Sequence, residues 1–248
     1  MTKLTHAIAL VIPTYRETES LRALFFKLIE VGECVKHIAI VDDSEKGQSS
    51  MIASEFTQTL TQRGINLHVI TNYKKSGRGA AVRQGFLFLL NSVEASCFVE
   101  MDADGSHNPD EILNLCDTLE QNTFVIASRY LNESKITGWS TERRIMSRFV
   151  NWLIRKVLKL DLKDSTNGFR AYSRESVEIL AKRQSFVDDF LYLSEQALVL
   201  RNFGFTGVEV PTHFVNRIHG DSSVNFKVLA CAFFSLIRLR VSMASKIP

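Results

Sequence analysis

Between residues 8 and 127 the chain alternates five short β-rich runs with segments of helical period, and this alternation restricts the fold more than any other feature. Ile8–Ile12, His37–Val41, Leu67–Ile70, Phe98–Met101 and Phe124–Ala127 are apolar runs of strand length. Between the first two, Leu21, Leu24, Phe25, Leu28 and Ile29 recur at helical spacing. The segment after Ser49 reads as a helix, Gly79–Leu90 as another, and Asn108 caps a further one with Pro109 at its first position. The pattern predicts an α/β fold: a mostly parallel central sheet with helices on both faces. Such sheets bind ligands beyond the carboxyl ends of their strands. The candidate loops are therefore Pro13-Thr14-Tyr15, Asp42-Asp43, Thr71-Asn72 and Asp102-Ala103-Asp104.

The second half changes character. Arg143–Leu160 reads as a helix with basic and apolar faces, and Asp164–Tyr172 as a polar stretch that turns strand-like. Helices are expected around Ser176–Lys182 and Asp188–Arg201, a strand at Gly207–Val210, and a last helix from about Phe226 to Val241. No internal repeat or low-complexity linker divides the chain. The expected organisation is one domain over residues 1–225 and a C-terminal amphipathic helix over 226–248, either offered to a membrane surface or packed on the domain core.

Composition narrows the function classes. A net charge of +3 gives no general affinity for nucleic acid, so basic function must come from local clusters. Cys34, Cys97, Cys116 and Cys231 have no CxxC spacing and sit mostly among apolar neighbours. They read as buried thiols in a reducing compartment, without zinc or a disulfide framework. No secretory signal pattern is visible, and no apolar run approaches the ~20 residues of a spanning helix. A cytoplasmic protein, peripheral at the cytoplasmic face of a membrane, is the expectation.

Chemistry concentrates at three places. Phe98-Val99-Glu100-Met101-Asp102-Ala103-Asp104 is an apolar strand ending in two carboxylates two residues apart, so both share a side of an extended chain. Hard divalent cations bind through one or two carboxylates plus substrate phosphates; the competing reading is a pair of solvated loop aspartates. Asp42 and Asp43 also end a strand, where a carboxylate accepts hydrogen bonds from a base or caps a turn. Ser76-Gly77-Arg78-Gly79 opens a helix with two glycines, and Arg78 is a candidate phosphate ligand or part of a plain turn. Without a Lys-Ser/Thr pair or a full GxGxxG, ATP hydrolysis and nicotinamide binding lose support. The third place is basic: Arg129, Arg143, Arg144, Arg148, Arg155, Lys156, Lys159, Arg170 and Arg217, interleaved on the long helix with Ile145, Phe149, Trp152 and Leu153. That interleaving suits a membrane surface or an ordinary half-buried helix.

Together these residues resemble the family 2 glycosyltransferases, specifically the dolichyl- or polyprenyl-phosphate mannose synthase group. The resemblance runs in order through Pro13-Thr14-Tyr15-Arg16-Glu17 (the family's PTYNE, with Arg16 for Asn), Asp42-Asp43-Ser44, Ser76-Gly77-Arg78-Gly79-Ala80-Ala81 with Gly85-Phe86 (GLGxAxxxGF), and Met101-Asp102-Ala103-Asp104-Gly105-Ser106-His107-Asn108-Pro109. It continues through Ser128-Arg129-Tyr130, Arg143 with Ser147 and Asn151, Asp164–Tyr172, and Glu209-Val210-Pro211 with Phe214, Arg217, Gly220 and Ser222. Gln48 and Ser223 depart from the family pattern, as Arg16 does. The resemblance implies a GT-A nucleotide-sugar-binding fold. It implies an inverting, metal-dependent transfer of a sugar, mannose from GDP-mannose, onto dolichyl or polyprenyl phosphate. Pro13, Tyr15, Glu17 and Asp43 would line the nucleoside pocket. Asp102 and Asp104, assisted by Ser106, would hold Mg²⁺ or Mn²⁺. Arg129, Arg143, Ser147 and Arg217 would grip donor and acceptor phosphates. A membrane-anchoring partner subunit is a further implication. The alternatives are the same fold with another donor, such as UDP-glucose, or a non-lipid acceptor, and a non-catalytic nucleotide-sugar-binding module.

Overall fold

Strand β1 (Ile8–Thr14) is apolar without interruption, and it is buried almost throughout because helices cover both of its faces. A computed structural model describes residues 7–31, 34–185, 191–216 and 236–241. β1 lies between β2 (Val35–Asp42) and β4 (Cys97–Glu100), parallel to both, and β3 (Asn66–Thr71) extends the sheet beyond β2. β7 (Arg170–Ser173) follows β4 antiparallel, then come β5 (Thr123–Ser128) and β8 (Thr206–Pro211). The seven-stranded order is β3-β2-β1-β4-β7-β5-β8. The sheet is thus mostly parallel, as its apolar runs predict, with one reversed strand inside it.

Alternation along β1 separates two cores. Ile8, Leu10 and Ile12 pack with α1 (Glu19–Glu30), α2 (Gln48–Gln62) and α4 (Ile112–Asp117). Ala9 and Val11 face α3 (Arg78–Ser92), α5 (Thr141–Leu158), α6 (Arg174–Ala181) and α7 (Tyr192–Asn202). The expected cap at Asn108 is present: its side chain accepts the Asp110 N–H, and a single 3₁₀ turn from Pro109 precedes α4. Two three-residue strands without a sequence signal, β6 (Lys135–Thr137) and β9 (His213–Val215), pair in parallel as a separate ribbon.

One expectation is corrected, and for two residues of the last helix one of two open readings holds. Cys97 and Cys116 are not free thiols; they form a disulfide between β4 and α4, with their Cα atoms 6.2 Å apart. In the last helix, residues 236–241 are helical, and Leu236 and Leu239 are each 1% exposed within the α5 core. Arg240 donates to the Val157 carbonyl at 2.8 Å. These two leucines belong to the domain rather than to a membrane face. The rest of that expected helix, with Phe226 and Phe233, lies outside the described residues. Among the described residues, no helix is long and apolar enough to cross a membrane.

α3 approaches β1 closely because position 85 is glycine. A Cβ there would lie 2.6 Å from Val11 Cγ1. Gly85→Ala is therefore expected to destabilise the fold by about 1–3 kcal/mol through overpacking. Urea denaturation monitored by circular dichroism checks this, and an unchanged midpoint would show that the helix can move away without cost.

Candidate active site

The carboxyl ends of β1, β2 and β4 and the start of α3 enclose a cavity of about 300 Å³. Seven residues singled out by the sequence line it: Pro13, Tyr15, Glu17, Asp43, Arg78, Asp102 and Asp104. Lys75 joins them, and nothing in the sequence marked it. Its ammonium lies 4.5 Å from the centre of the Tyr15 ring, and Arg16 lies 5.1 Å from the same ring. Arg16 takes a left-handed backbone (φ 58°), which an arginine adopts rarely. Its guanidinium and the Tyr15 hydroxyl both donate to Glu45, and that bond is the chief cause raising the Tyr15 pKa.

The two strand-end aspartates of β2 brace loops. Asp42 accepts the Ser44 and Ser50 N–H groups, which fixes the turn into α2. Asp43 accepts from the N–H groups of Ser76 and Gly77, the Ser76 hydroxyl and the Asn72 amide, which fixes the turn into α3. The turn-capping reading describes both residues here, although Asp43 also lines the cavity.

The acidic motif is held from behind. The Asp102 N–H donates to His107 Nδ1 at 3.2 Å, and His107 Nε2 lies 2.9 Å from Asn167 Oδ1. Asn167 donates its amide to the Ala127 carbonyl, so its oxygen faces the histidine and His107 carries its proton on Nε2. With both ring nitrogens engaged and 2% exposure, His107 positions the motif and offers no base to the cavity. Ser106 donates its N–H to Asp104 Oδ1 at 3.0 Å and is itself 2% exposed. It orients Asp104 through the backbone and does not line the cavity.

Arg78 reaches across from the first turn of α3. Its Nε and Nη2 both donate to Asp102 Oδ1, at 3.0 and 2.7 Å, and Nη1 donates to Glu100. The Glu100 side chain is fully buried, and the Tyr172 hydroxyl is 3.5 Å from its other oxygen. Burial raises the Glu100 pKa, against the opposing pull of Arg78 and Arg170. Burial disfavours the Arg78 cation too, but the charges of Asp102 and Glu100 outweigh it.

A second cluster gathers Arg129 and Arg143 around Trp139. Arg143 stacks on its ring at 4.3 Å and donates to Asn216, while Ser147 accepts from the Tyr130 hydroxyl at 2.5 Å. Arg129 has a partner within the chain that the sequence did not announce. It is 8% exposed, forms a two-pronged pair with Asp164 at 2.7 and 2.8 Å, and donates to Thr166. The rings of Trp139 and Phe214 flank it. This arginine ties the Asp164 loop to the end of β5 through Nε and Nη2. Arg170, which is fully buried, is spent on the carbonyls of Ser165, Asn167 and Leu193. Arg217 lies outside the described residues. Trp139 and Asn216 carried no signal in the sequence, whereas Tyr130 belongs to the Ser128-Arg129-Tyr130 stretch.

The donor set suits a hard divalent cation. Asp102 and Asp104 present carboxylate oxygens to one cavity, and cations at its rim suit phosphate. Among the described residues no group of three His, Cys, Asp or Glu surrounds a common point. Such an ion would thus complete its shell with water and substrate oxygens, as Mg²⁺ and Mn²⁺ commonly do.

Residues 9–180 match glycosyl transferase family 2, and the chain belongs to that family. It is 34% identical to polyprenol monophosphomannose synthase of Mycolicibacterium smegmatis over 94% of this chain and 86% of the relative. It is 29% identical to undecaprenyl-phosphate mannosyltransferase of Micrococcus luteus over 92% and 91%. Among solved structures, a mannosyltransferase from Pyrobaculum calidifontis in complex with GDP-Man and Mn²⁺ superposes with a TM-score of 0.60 at 15% identity, covering 99% of this chain and 67% of that one. Glucosyl-3-phosphoglycerate synthase from Mycobacterium tuberculosis, solved with Mn²⁺ and UDP, gives 0.61 at 15% identity, covering 98% and 81%. The fold is that of the GT-A glycosyltransferases, and the protein is a glycosyltransferase.

The Arg129–Asp164 pair gives a prediction opposite to that for a phosphate ligand. Arg129→Ala strands a buried carboxylate and is expected to destabilise the protein by about 3–5 kcal/mol. Burial opposes the Asp164 charge, but Arg129's attraction and hydrogen bonds hold the carboxyl below its usual range. The pair's contribution is therefore complete above the unfolded aspartate pKa of ~3.9 and is lost as pH falls through the lower folded value. Denaturant titrations of both proteins between neutral and acid pH check this. An Arg129→Ala protein of normal stability but poor turnover would restore the phosphate-binding role.

Proposed function

We propose that this glycosyltransferase moves mannose from GDP-mannose onto the phosphate of a dolichyl or polyprenyl lipid, inverting the anomeric carbon. The observation that carries the reading is the single cavity in which the candidate nucleoside residues Pro13, Tyr15 and Glu17 share walls with Asp102, Asp104 and the cations Lys75 and Arg78. The relatives named as polyprenyl-phosphate mannose transferases support the choice of sugar and acceptor. The donor diphosphate lies toward Lys75 and Arg78, and the Asp43 brace holds the backbone that presents them. Mg²⁺ or Mn²⁺ bound by Asp102 and Asp104 supplies charge stabilisation for the leaving nucleoside diphosphate. Arg143 and Ser147 orient the acceptor phosphate. A phosphate monoester has a second pKa of ~6, so its oxygen is already anionic at neutral pH and needs no strong base from the chain.

The acceptor's tail requires a membrane surface, and α5 offers one. Its buried face carries Asn151, Ile154 and Leu158, while Ile145, Phe149 and Trp152 stand 64%, 51% and 53% exposed on the opposite side. Arg144, Arg148 and Lys156 flank them, a combination suited to an anionic bilayer. In this reading residues 1–225 are the catalytic domain, the protein works peripherally at the cytoplasmic face, and a membrane-anchoring subunit is compatible.

A panel of labelled GDP- and UDP-sugars with polyprenyl phosphate and Mn²⁺ tests the donor and acceptor. Labelled lipid is expected with GDP-mannose, and transfer from UDP-glucose or onto a soluble acceptor alone would replace this reading. Asp104→Asn is expected to lower turnover at least about 100-fold with little change in thermal stability. Full activity in EDTA would remove the metal from the account. Flotation with anionic liposomes is expected at low salt and to weaken for Phe149→Ala/Trp152→Ala; equal flotation of both proteins would free α5 from that role.

A further inference from the structure

The guanidinium of Arg78 occupies a seat shaped for it. Position 168 is glycine, and a Cβ there would lie 2.1 Å from Arg78 Nη2 and 3.4 Å from Asp102 Oδ2. The backbone beneath is fixed, since Asp43 accepts the N–H groups of Ser76 and Gly77. Only the side chain has room to move, and it is 28% exposed beside the cavity. Its contacts divide into two kinds. The Glu100 contact is to a carboxylate with no exposure to water, which needs a permanent counter-charge. The Asp102 contact is to a carboxylate 31% exposed in the same cavity as Asp104. Glu100, Asp102 and Asp104 follow one another at two-residue intervals at the end of one strand, so their negative charges accumulate there. A second cation brought to Asp102 meets Arg78 at short range, where like charges repel strongly.

We propose that Arg78 is an internal counter-ion that competes with a divalent cation for Asp102. A divalent cation arriving with a nucleoside diphosphate displaces it from Asp102 onto the diphosphate, and its contact to Glu100 persists. The inference rests on the metal-and-diphosphate reading of the cavity and adds an order to it. The cation alone binds weakly because Arg78 competes for Asp102. Cation and diphosphate together bind well, because the displaced donors gain a new anionic partner. Arg78 is thus a positioning residue that couples occupancy of the two subsites.

The test uses Mn²⁺ and inorganic pyrophosphate as probes, so it does not depend on base, sugar or acceptor. Because Arg78→Leu alone strands buried Glu100, the double variant Arg78→Leu/Glu100→Gln is compared with Glu100→Gln. Calorimetric titration with Mn²⁺ alone is expected to show about tenfold tighter binding in the double variant, since a competing charge is gone. Pyrophosphate in saturating Mn²⁺ is expected to bind about tenfold more weakly, since charge-assisted hydrogen bonds are lost. Gly168→Ala keeps the charge but pushes the guanidinium off its seat, and Mn²⁺ alone is expected to bind this variant more tightly than the native protein. Opposite shifts for the two probes separate counter-ion exchange from a structural ion pair, whose loss weakens both. Unchanged or weaker Mn²⁺ binding in the double variant would overturn the proposal and leave the metal reading intact. Absence of Mn²⁺ binding from every protein, with and without pyrophosphate, would overturn both.

Discussion

The parallel pairing of β1 with β2 on one side and β4 on the other is the constraint on which the cleft depends. The registers align Thr14 with Asp42 and Val11 with Glu100, so three chain segments leave the sheet at one edge. This alignment is held by apolar burial on both faces, with each fully buried Val, Leu or Ile side chain contributing about 1.5–3 kcal/mol. No loop residue has to bring the cavity walls together; the strands deliver them. The loops then need only local bracing, and the short acidic side chains at the strand ends provide it. Asp42 and Asp43 tie down the turns into α2 and α3, and Asp164 anchors Arg129 in the same way across the second half.

The carboxylates accordingly divide by burial and partner rather than by residue type. Asp42, Asp43 and Asp164 are at most 4% exposed and satisfied by N–H and guanidinium donors. Asp102 remains partly exposed at the cavity, held at its backbone by His107. Aromatic side chains play a matching part around α5. Trp139 lies beside both Arg129 and Arg143, one of them committed to a buried carboxylate and the other stacked over the ring.

Much of this was legible because it is local. Strands buried on both faces read as continuous apolar runs, and the candidate residues Tyr15, Glu17, Asp102 and Asp104 follow such runs directly. What was not legible depends on distant partners. Whether Arg129 meets phosphate or a buried acid is decided by Asp164 on another segment, which a spacing pattern does not report. The disulfide joins Cys97 and Cys116 only because α4 folds back against β4. The β6–β9 ribbon has three residues per strand, too few for any period to emerge. Glu100 was visible as a charge interrupting an apolar strand, a local conflict of the kind that marks functional or strained positions. Its meaning required the sight of Arg78. Lys75 was hidden in an ordinary polar loop.

The place of β7 in the sheet has a bearing on how the chain is made. β3, β2, β1 and β4 are all drawn from residues 8–100, and their three parallel pairings need nothing synthesised later. The other half is different: β4 gains its second neighbour, and β5 its first, only when residues 170–173 are available, and β8 adds residues 206–211. A nascent chain therefore presents the outer edge of β4 and both edges of β5 unpaired for a substantial part of its translation, and such edges template pairing with other chains. Chaperone demand during synthesis should fall on this late-closing half, and a ribosome stalled before residue 170 would release a chain whose first four strands are matched but whose sheet is open beside Asp102 and Asp104.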